Sequence, residues 1–322
     1  MKIIFMGTPE LARECLRAVY EKEGVEVAAV VTRPDKQKGR GMKLVFSPVK
    51  EYAAEHGIPV YQPKTLRDGL FQEVLDEIQP ELIIVAAYGN ILPPYVIEYP
   101  KYGCINAHGS LLPKYRGASP IQRAIIDGET ETGITAMYMD NGLDTGDIIK
   151  KYPCAITEDD DYGTVHDKLA ILAGKAMCET IDAIEAGTVT RTKQSDEGSN
   201  YAAKIEKEDT ILDFTGSAWS LWNRIRGLNP DPCAVTKTPD GKLLKITSSK
   251  VLEGLPDEPQ EPQQPGTVIT LSPKGQGMMT VVCGEGLLGI TGVVPEGKKP
   301  MSAGDFIRGR RINIGDLLGY KE

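Results

Sequence analysis

The sequence predicts an α/β, doubly wound, Rossmann-like fold with a mostly parallel sheet, followed by a small OB-like β-barrel domain. Short, almost continuously apolar segments alternate with helix-like segments through the first 190 residues. This alternation is typical of strands that helices cover on both faces. Short strand patterns separated by turn residues fill the last third, as in small barrels. With 322 residues, the chain is long enough for two domains.

The elements of the first domain follow from apolar periodicity. Short apolar runs predict strands, whereas Leu11, Leu16 and Val19 recur at helical spacing and predict a helix. The predicted strands are Lys2–Met6, Val25–Val31, Ile58–Tyr61, Glu81–Ala87, Cys104–His108, Gly133–Tyr138 and Asp147–Ile156. The predicted helices are Pro9–Glu23, Ser47–Glu55, Leu70–Ile78 and Val165–Ala186.

A polar stretch rich in Thr, Gln, Ser and Asn follows the long predicted helix. It predicts a first domain at residues 1–189, a linker at 190–205 and a second domain at 206–322. In the second domain a helix at Ser217–Ile225 comes before the strands, and the segment Leu255–Pro265 is an expected exposed loop. The predicted strands are Cys233–Thr238, Leu243–Val251, Gly266–Leu271, Met278–Cys283 and Gly286–Val294.

Composition excludes several classes of protein. No apolar run approaches the roughly 20 residues that a membrane helix needs, and the N-terminus lacks the features of a signal peptide. We therefore expect a cytoplasmic protein with no membrane partner. The six cysteines are widely spaced and the three histidines form no ligand pattern, so we expect reduced thiols and no metal.

The net charge of −8 argues at first against a nucleic-acid partner, but the charge is unevenly distributed. Residues 206–322 are nearly neutral, so residues 1–205 carry most of the excess. Within that acidic part, Arg33–Lys43 has five basic residues and one Asp. Such a run is most often a solvated loop, although it could also contact phosphates.

The first strand runs into a turn, the position at which Rossmann proteins bind dinucleotides. Gly7 supplies one glycine where the dinucleotide fingerprint needs three, and Pro9 lacks a backbone N–H donor. The turn therefore does not predict nicotinamide or flavin binding.

Asn106 and His108 are two residues apart on a predicted strand, so their side chains project from the same face. They lie at the carboxyl end of the strand, where open α/β sheets place ligands. Taken alone, the pair could be a core histidine beside a turn asparagine. A glycine-rich acidic loop, Met139–Asp147, follows later. It could be a solvated turn or an imperfect calcium loop, but its Asp144 could also set the charge state of a neighbouring histidine.

Three segments together resemble the 10-formyltetrahydrofolate-dependent formyltransferases. They are Asn106-Ala107-His108-Gly109-Ser110-Leu111-Leu112-Pro113, Arg116-Gly117-Ala118-Ser119-Pro120-Ile121-Gln122 and Gly142-Leu143-Asp144-Thr145-Gly146. The resemblance extends from Gly7-Thr8-Pro9 to Gly227-Leu228-Asn229-Pro230 and Gly309-Arg310. Within that superfamily the chain resembles the members that formylate initiator Met-tRNA.

The resemblance implies a transferase whose formyl donor is 10-formyltetrahydrofolate, with no metal and no covalent enzyme intermediate. Asn106 and a protonated His108 would donate hydrogen bonds to the oxyanion, while Asp144 would favour the imidazolium form and accept protons from the amine. The residues that match the folate cleft are Asn90, Ile91, Leu92, Ser110, Leu111, Leu112, Pro113, Asp140, Asn141, Gly142 and Leu143.

The resemblance also implies that the acceptor is the amino group of methionine on initiator Met-tRNA, and that the basic loop contacts the tRNA. Its cations are Arg33, Lys36, Lys38, Arg40 and Lys43. Lys204, Lys207, Arg308, Arg310 and Arg311 are further candidate phosphate contacts. No obligate protein partner is evident.

Other functions stay open at this stage. A related enzyme could formylate another amine, such as an amino-sugar nucleotide, or hydrolyse the folate. A non-catalytic RNA-binding module would leave Asn106, His108 and Asp144 without a purpose. Cys104 shares the face of Asn106, but no motif around it indicates a nucleophile.

Overall fold

The computed structural model describes residues 1–38, 43–253 and 263–320, without the side chains of residues 36–38 and 43. Within these residues, no helix is both long enough and apolar enough to cross a membrane. Strands and helices alternate through the first half of the chain, and strands dominate the last third.

The chain divides into two compact units, and each unit draws on more than one stretch of sequence. Unit 1 comprises Met1–Pro120, Glu131–Ala155 and His166–Ala203, and unit 2 comprises Ile121–Thr130, Ile156–Val165 and Lys204–Glu322. Most of the segment 190–205, which we expect to be a linker, therefore groups with unit 1. Two short segments from the first half of the chain group with unit 2.

Strands alternate with helices as far as residue 203. The strands are β1 (Lys2–Gly7), β2 (Glu26–Val31), β3 (Lys36–Lys38), β4 (Lys43–Val45), β5 (Val60–Tyr61), β6 (Leu82–Ala86), β7 (Cys104–His108), β8 (Arg116–Gly117), β9 (Glu131–Tyr138), β10 (Ile148–Ala155) and β11 (Tyr201–Ala202). The helices are α1 (Glu10–Tyr20), α2 (Pro48–Glu55), α3 (Phe71–Ile78), α4 (Pro94–Ile97), α5 (Pro120–Ile126) and α6 (Tyr162–Glu185).

In the part of the chain that the structure describes, one sheet joins seven of these strands in the order β10-β9-β7-β6-β1-β2-β5. The strands from β7 to β5 are parallel, whereas β9 is antiparallel to both of its neighbours. The chain runs outward from β1 through β2 to β5, then returns to place β6 on the other side of β1. Open α/β sheets bind ligands at the carboxyl ends of strands near such a reversal.

The central strands are buried on both faces, which explains their continuous apolar sequence. On one face, Ile4 and Met6 of β1 and Val85 of β6 pack against Leu75 of α3 and Val96 of α4. Each fully buried aliphatic side chain stabilises the fold by about 1.5–3 kcal/mol. The central sheet is therefore a rigid support for the loops at its edge.

Local signals explain where α2 begins. The Ser47 hydroxyl accepts a hydrogen bond of 3.1 Å from the backbone N–H of Lys50, and Pro48 occupies the first helical turn. The helix therefore begins at a fixed point directly after β4.

The strands and helices predicted from periodicity are all present, with ends that differ by a few residues. The basic segment Arg33–Lys43, however, is not only a loop. Its flanks form an antiparallel hairpin in which Lys36 of β3 lies opposite Val45 of β4. Periodicity missed the hairpin because charged residues occupy its first strand. Residues 39–42 lie outside the described part of the chain.

Unit 2 is rich in antiparallel strands. Its strands are β12 (Ala234–Lys237), β13 (Leu243–Leu252), β14 (Val268–Ser272), β15 (Met278–Val282), β16 (Leu287–Pro295) and β17 (Met301–Ser302), and its helices are α7 (Ala218–Leu228) and α8 (Ala303–Arg308), with a 3₁₀ turn at Glu208–Thr210. They pair in the order β12-β13-β16-β15-β14, with β17 on β16. Ile246, Ile290 and Val281 pack with Ile225 of α7 and Phe306 of α8.

The predicted fold class is thus confirmed: a mostly parallel, helix-covered sheet comes first and an antiparallel, strand-rich domain follows. The predicted loop Leu255–Pro265 lies mostly outside the described residues. The sequence analysis missed the helices α4, α5 and α8, which are too short for periodicity to mark clearly.

Truncation of a buried side chain on a central strand should test how much the core of the sheet contributes to stability. Ile84→Ala should lower the free energy of unfolding by about 2–5 kcal/mol, because Ile84 is buried and leaves a cavity. Ile171→Ala, on an exposed face of α6, is the matched control and should change it by about 0.5 kcal/mol or less. Urea unfolding followed by far-UV circular dichroism measures both, and equal effects would contradict the assigned core.

Candidate active site

Strand β7 places two polar side chains on one face, as the alternation of the sequence predicts. Asn106 is half-buried, and His108 is buried at the carboxyl end of the strand. Within the described residues, the side-chain amide of Asn106 makes no hydrogen bond to another part of the chain. Its N–H and carbonyl groups are therefore available to a ligand.

The imidazole of His108 lies between two acceptors. Its Nε2 is 2.9 Å from the carbonyl oxygen of Tyr115, and its Nδ1 is 3.6 Å from Oδ1 of Asp144. A carbonyl oxygen only accepts hydrogen bonds, so Nε2 carries a proton. At 3.6 Å, the Nδ1–Oδ1 pair is an electrostatic contact and is too long for a hydrogen bond. The Nδ1 side of the ring can therefore still bond to a substrate.

The carboxylate of Asp144 is held by the backbone of β8. Its Oδ2 accepts a hydrogen bond of 2.9 Å from the N–H of Gly117. Gly117 has a φ of +121°, and a Cβ at this position would lie 2.7 Å from the carbonyl oxygen of Ala202. Only glycine fits this close approach of two backbones. The carboxylate that faces His108 thus depends on a residue without a side chain.

The loop that carries Asp144 takes an indirect path. Because β9 is antiparallel to β7, its last residue, Tyr138, lies opposite Ile105, before the end of β7. From there the loop must travel back along β7 to bring Asp144 to His108. Gly146 permits the turn, since a Cβ on it would lie 1.9 Å from the carbonyl oxygen of Tyr138.

The sequence analysis missed the residues that hold this loop from the other side. The Gln194 amide Nε2 donates hydrogen bonds to the carbonyl oxygens of Asp144 (2.9 Å) and Gly146 (2.8 Å). Asn200 accepts a hydrogen bond from the N–H of Tyr115 through its side-chain oxygen. Both lie in the polar stretch predicted to be a linker, where composition alone gives no sign of a role.

The predicted folate-cleft residues differ in their exposure and in their contacts. Ser110 and Leu112 are buried; the Ser110 hydroxyl donates to the Lys114 carbonyl at 2.6 Å, and the Leu112 N–H donates to Thr135 at 3.1 Å. The Ser110 hydroxyl and the Leu112 N–H are therefore committed to the protein, and the Leu112 side chain is buried. In contrast, Ile91 and Leu143 are 65% and 50% exposed, and such apolar side chains are suited to cover an aromatic ligand.

Other predicted cleft residues stabilise their own loops. Asp140 accepts hydrogen bonds from the Gly142 N–H (3.0 Å) and the Thr145 hydroxyl (2.8 Å), which closes the turn that contains Asp144. Asn90 accepts a hydrogen bond of 3.1 Å from the guanidinium of Arg33, which also donates to the carbonyl of Gly89. The structure thus places Arg33, a predicted tRNA contact, with the predicted folate residues. Leu92 is buried, while Leu111 and Pro113 are half-buried and Asn141 is exposed.

The remaining predicted tRNA residues belong to the hairpin. Arg40 lies outside the described residues, as do the side chains of Lys36, Lys38 and Lys43. The described base of the hairpin is fixed by another cation, which the sequence analysis did not single out. Lys50 Nζ lies 2.5 Å from Oδ2 of Asp35 and 2.8 Å from Oε1 of Gln62.

Two alternative chemistries lack support at this site. Cys104 is buried, and this burial raises the pKa of its thiol, which disfavours the nucleophilic thiolate. Among the described residues, no three His, Cys, Asp or Glu side chains come together as a metal site requires. What the site does offer is an uncommitted amide, an imidazole and a carboxylate.

Comparison with known proteins assigns the family. Residues 1–181 match the formyl transferase family, and residues 204–311 match the formyl transferase C-terminal domain. The chain belongs to the formyl transferase family and is a formyl-transferring enzyme. The methionyl-tRNA formyltransferase of Caldanaerobacter subterraneus subsp. tengcongensis is 48% identical over 99% of this chain and all of that protein. The Bacillus subtilis protein of the same name is 43% identical over 99% of this chain and 98% of that protein.

Solved structures share the fold at lower identity. An N-formyltransferase from Helicobacter canadensis, solved with folinic acid and dTDP-3-aminofucose, superposes with a TM-score of 0.63 at 20% identity, covering 90% of this chain and 98% of that one. HypX from Aquifex aeolicus, solved with tetrahydrofolic acid, gives 0.61 at 17% identity, covering all of this chain and 51% of that one. Both of these proteins were thus solved with folate derivatives.

Replacement of Gly117 should test whether its N–H is needed to hold the Asp144 carboxylate. Gly117→Ala should lower formyl transfer about 10-fold or more, because the added methyl displaces the N–H that holds a charged carboxylate. Gly187→Ala is the matched control: Gly187 also has a positive φ, but a Cβ there meets open space. Steady-state turnover and thermal unfolding are measured for both variants. Equal turnover in the two would show that the Gly117 contact is dispensable.

Proposed function

We propose that this enzyme transfers the formyl group of 10-formyltetrahydrofolate to the amino group of methionine on initiator methionyl-tRNA. The observation that carries the chemistry is the position of His108, between the Tyr115 carbonyl and Asp144 and on the same strand face as the uncommitted Asn106. The whole-length similarity to methionyl-tRNA formyltransferases supports the acceptor. The reaction belongs to one-carbon metabolism and supplies translation initiation, so we assign the enzyme to the cytoplasm.

The first step requires a neutral amine to attack the formyl carbon. The new C–N bond forms as the carbonyl becomes a tetrahedral oxyanion, and the bond to folate N10 then breaks. In sum, the amine loses a proton and N10 gains one. Asn106 stabilises the oxyanion by donating from its amide, which makes no internal hydrogen bond among the described residues.

His108 contributes the second donor. Since Nε2–H is held by the Tyr115 carbonyl, the remaining donor is Nδ1–H of the imidazolium, on the side that faces Asp144. The 3.6 Å gap to Asp144 leaves Nδ1–H free for the oxyanion, and the carboxylate accepts the proton from the amine, directly or through water.

The folate donor is proposed to lie against the segments 90–92, 110–113 and 140–143. Their buried side chains are committed elsewhere, so backbone groups and the exposed Ile91 and Leu143 are the parts that meet the ligand. An apolar surface with few polar groups suits a flat aromatic ring. Arg33 supports this cleft through Gly89 and Asn90.

The tRNA is proposed to contact the basic hairpin. Lys36, Lys38, Arg40 and Lys43 concentrate positive charge within an otherwise acidic half of the chain, and phosphate contacts need such cations. The second domain, predicted at residues 206–322, is nearly neutral and is proposed to assist through its exposed cations, such as Lys207 and Arg311.

An amino-sugar nucleotide is the alternative acceptor, because one structural relative was solved with dTDP-3-aminofucose and another is named a sugar 3N-formyl transferase. Those relatives are 20% and 19% identical to this chain, whereas the methionyl-tRNA formyltransferases reach 43–48%. The deciding experiment incubates the enzyme with 10-formyltetrahydrofolate and either Met-tRNA or an amino-sugar nucleotide. Formylmethionine on the tRNA supports the proposal, and formylation of the sugar alone would refute it.

Removal of the imidazole should test the catalytic role of His108. We expect His108→Ala to reduce turnover about 10²- to 10⁴-fold, the range for proton-transfer groups and oxyanion donors. The control is His56→Ala, because the ring of His56 contacts Tyr52 and its carbonyl oxygen and not the residues of the candidate site. Stopped-assay turnover at saturating substrates is the measurement. A folded His108 variant within a few-fold of the wild type would disprove the role.

Replacement of two hairpin cations should separate tRNA use from formyl chemistry. In the double variant Arg40→Ala, Lys43→Ala, we expect weaker tRNA binding and a log–log salt slope smaller by about 1.4 for single-stranded or 1.8 for duplex contacts. Formyl transfer to a small amine should be unchanged. Lys151→Ala, Lys175→Ala removes two exposed cations elsewhere and serves as the charge-matched control. Equal losses with both acceptors would show that the hairpin supports the fold or the cleft.

A further inference from the structure

Residues 192–202, which we call the anchoring segment, contact two sides of the candidate site. At one end, Thr192 pairs with Ile148 through two backbone hydrogen bonds of 2.8 and 2.9 Å, directly after the loop that carries Asp144. At the other end, β11 pairs with β8, whose Gly117 N–H holds the Asp144 carboxylate. Both attachments lie within unit 1.

Gln194 sits between these attachments, and all of its hydrogen-bonding capacity is used. Its Nε2 donates to the carbonyls of Asp144 and Gly146, while its Oε1 accepts from Arg116 Nε at 3.2 Å and Nη2 at 3.1 Å. Carbonyls only accept and a guanidinium only donates, so the amide has one allowed orientation. A glutamine is therefore the side chain that joins Arg116 to this loop.

The two carbonyls belong to the part of the loop that most needs support. Asp144 has a φ of +53°, a left-handed conformation that is unfavourable for a residue with a side chain. Gly146, two residues on, packs against the Tyr138 carbonyl. Hydrogen bonds to the carbonyls of Asp144 and Gly146 hold the backbone on both sides of Thr145 and so fix where the Asp144 carboxylate points.

We propose that Gln194 is a positioning residue for Asp144: it holds the catalytic loop in place through the Asp144 and Gly146 carbonyls and is itself oriented by Arg116. The inference rests on the role of Asp144 in the proposed function. Gln194 does not contact the reacting atoms in this arrangement. It acts by fixing the direction of the carboxylate relative to His108.

The decisive variant is Gln194→Glu. It keeps the size and the bond to Arg116, but a carboxylate has no N–H for the two carbonyls and repels them. We expect kcat to fall about 10- to 100-fold, the scale of a catalytic group misplaced by about 1 Å. KM for the folate and for Met-tRNA should stay within about threefold. Glu197→Gln, the reverse change at an exposed position of the same segment, is the control and should leave both unchanged.

A double-variant cycle separates positioning from a merely structural role. If Gln194 acts through Asp144, then Gln194→Glu should cost less than about twofold in an Asp144→Asn background. A full multiplicative loss there would overturn the proposal, as would a Gln194→Glu variant with wild-type kcat. Gln194→Met, uncharged and of similar length, repeats the test if the Glu variant unfolds at a lower temperature. Failure of the wild-type enzyme to form formylmethionine would instead refute the proposed function.

Discussion

The pairing of β8 with β11 is the interaction on which the site depends. This strand pair, two residues on each side, fixes the backbone between Tyr115 and Gly117. The carbonyl of Tyr115 lies at hydrogen-bond distance from Nε2 of His108, and the N–H of Gly117 donates to the carboxylate of Asp144, and these two side chains are the proposed catalytic pair. Because one short stretch of backbone supplies both contacts, the relative position of imidazole and carboxylate is set by main-chain geometry. Glycine is needed at 117 because the backbone of Ala202 approaches too closely to leave room for a side chain.

The topology of the sheet explains why extra support is required. A parallel strand beside β7 would end at the same edge and deliver its loop directly to His108, but β9 is antiparallel and its loop starts further back. The loop must therefore be held near His108 by other contacts, and these are polar. They are the hydrogen bonds that Asp140 accepts within the loop, those that Gln194 donates to it, and the one from the Gly117 N–H to Asp144. Polar anchors suit a loop at the rim of a sheet, where too little apolar surface is buried to hold it.

Much of this arrangement could be predicted from the sequence. The bounds of β7 were confirmed residue by residue, since an apolar strand with polar residues two apart has a strict period. The sequence analysis offered Asp144 as a carboxylate that could set the charge state of a neighbouring histidine, but its assignment to His108 depended on the resemblance, because no local pattern reports a contact between distant parts of the chain. Gln194 and Asn200 could not be found. Gln194 and Asn200 use their polar side chains for hydrogen bonds to backbone groups. The composition of their stretch is nevertheless the same as that of a solvated linker.

The same ambiguity affects the cations in and near the basic segment. Charge alone does not distinguish cations that bond within the protein from cations that are available to a phosphate. Lys50 and Arg33 are committed to the protein: Lys50 bonds Asp35 and Gln62, and Arg33 bonds Gly89 and Asn90. The hydrogen bond from Lys50 holds the pKa of Asp35 below its usual value. This contact therefore stabilises the base of the hairpin at pH values above the ordinary pKa of an aspartate. Its contribution is lost only as pH falls through the lowered pKa. At neutral pH the base of the hairpin is therefore fixed by the charge-balanced ion pair of Lys50 and Asp35. The excess positive charge of the segment belongs to Arg33, Lys36, Lys38, Arg40 and Lys43.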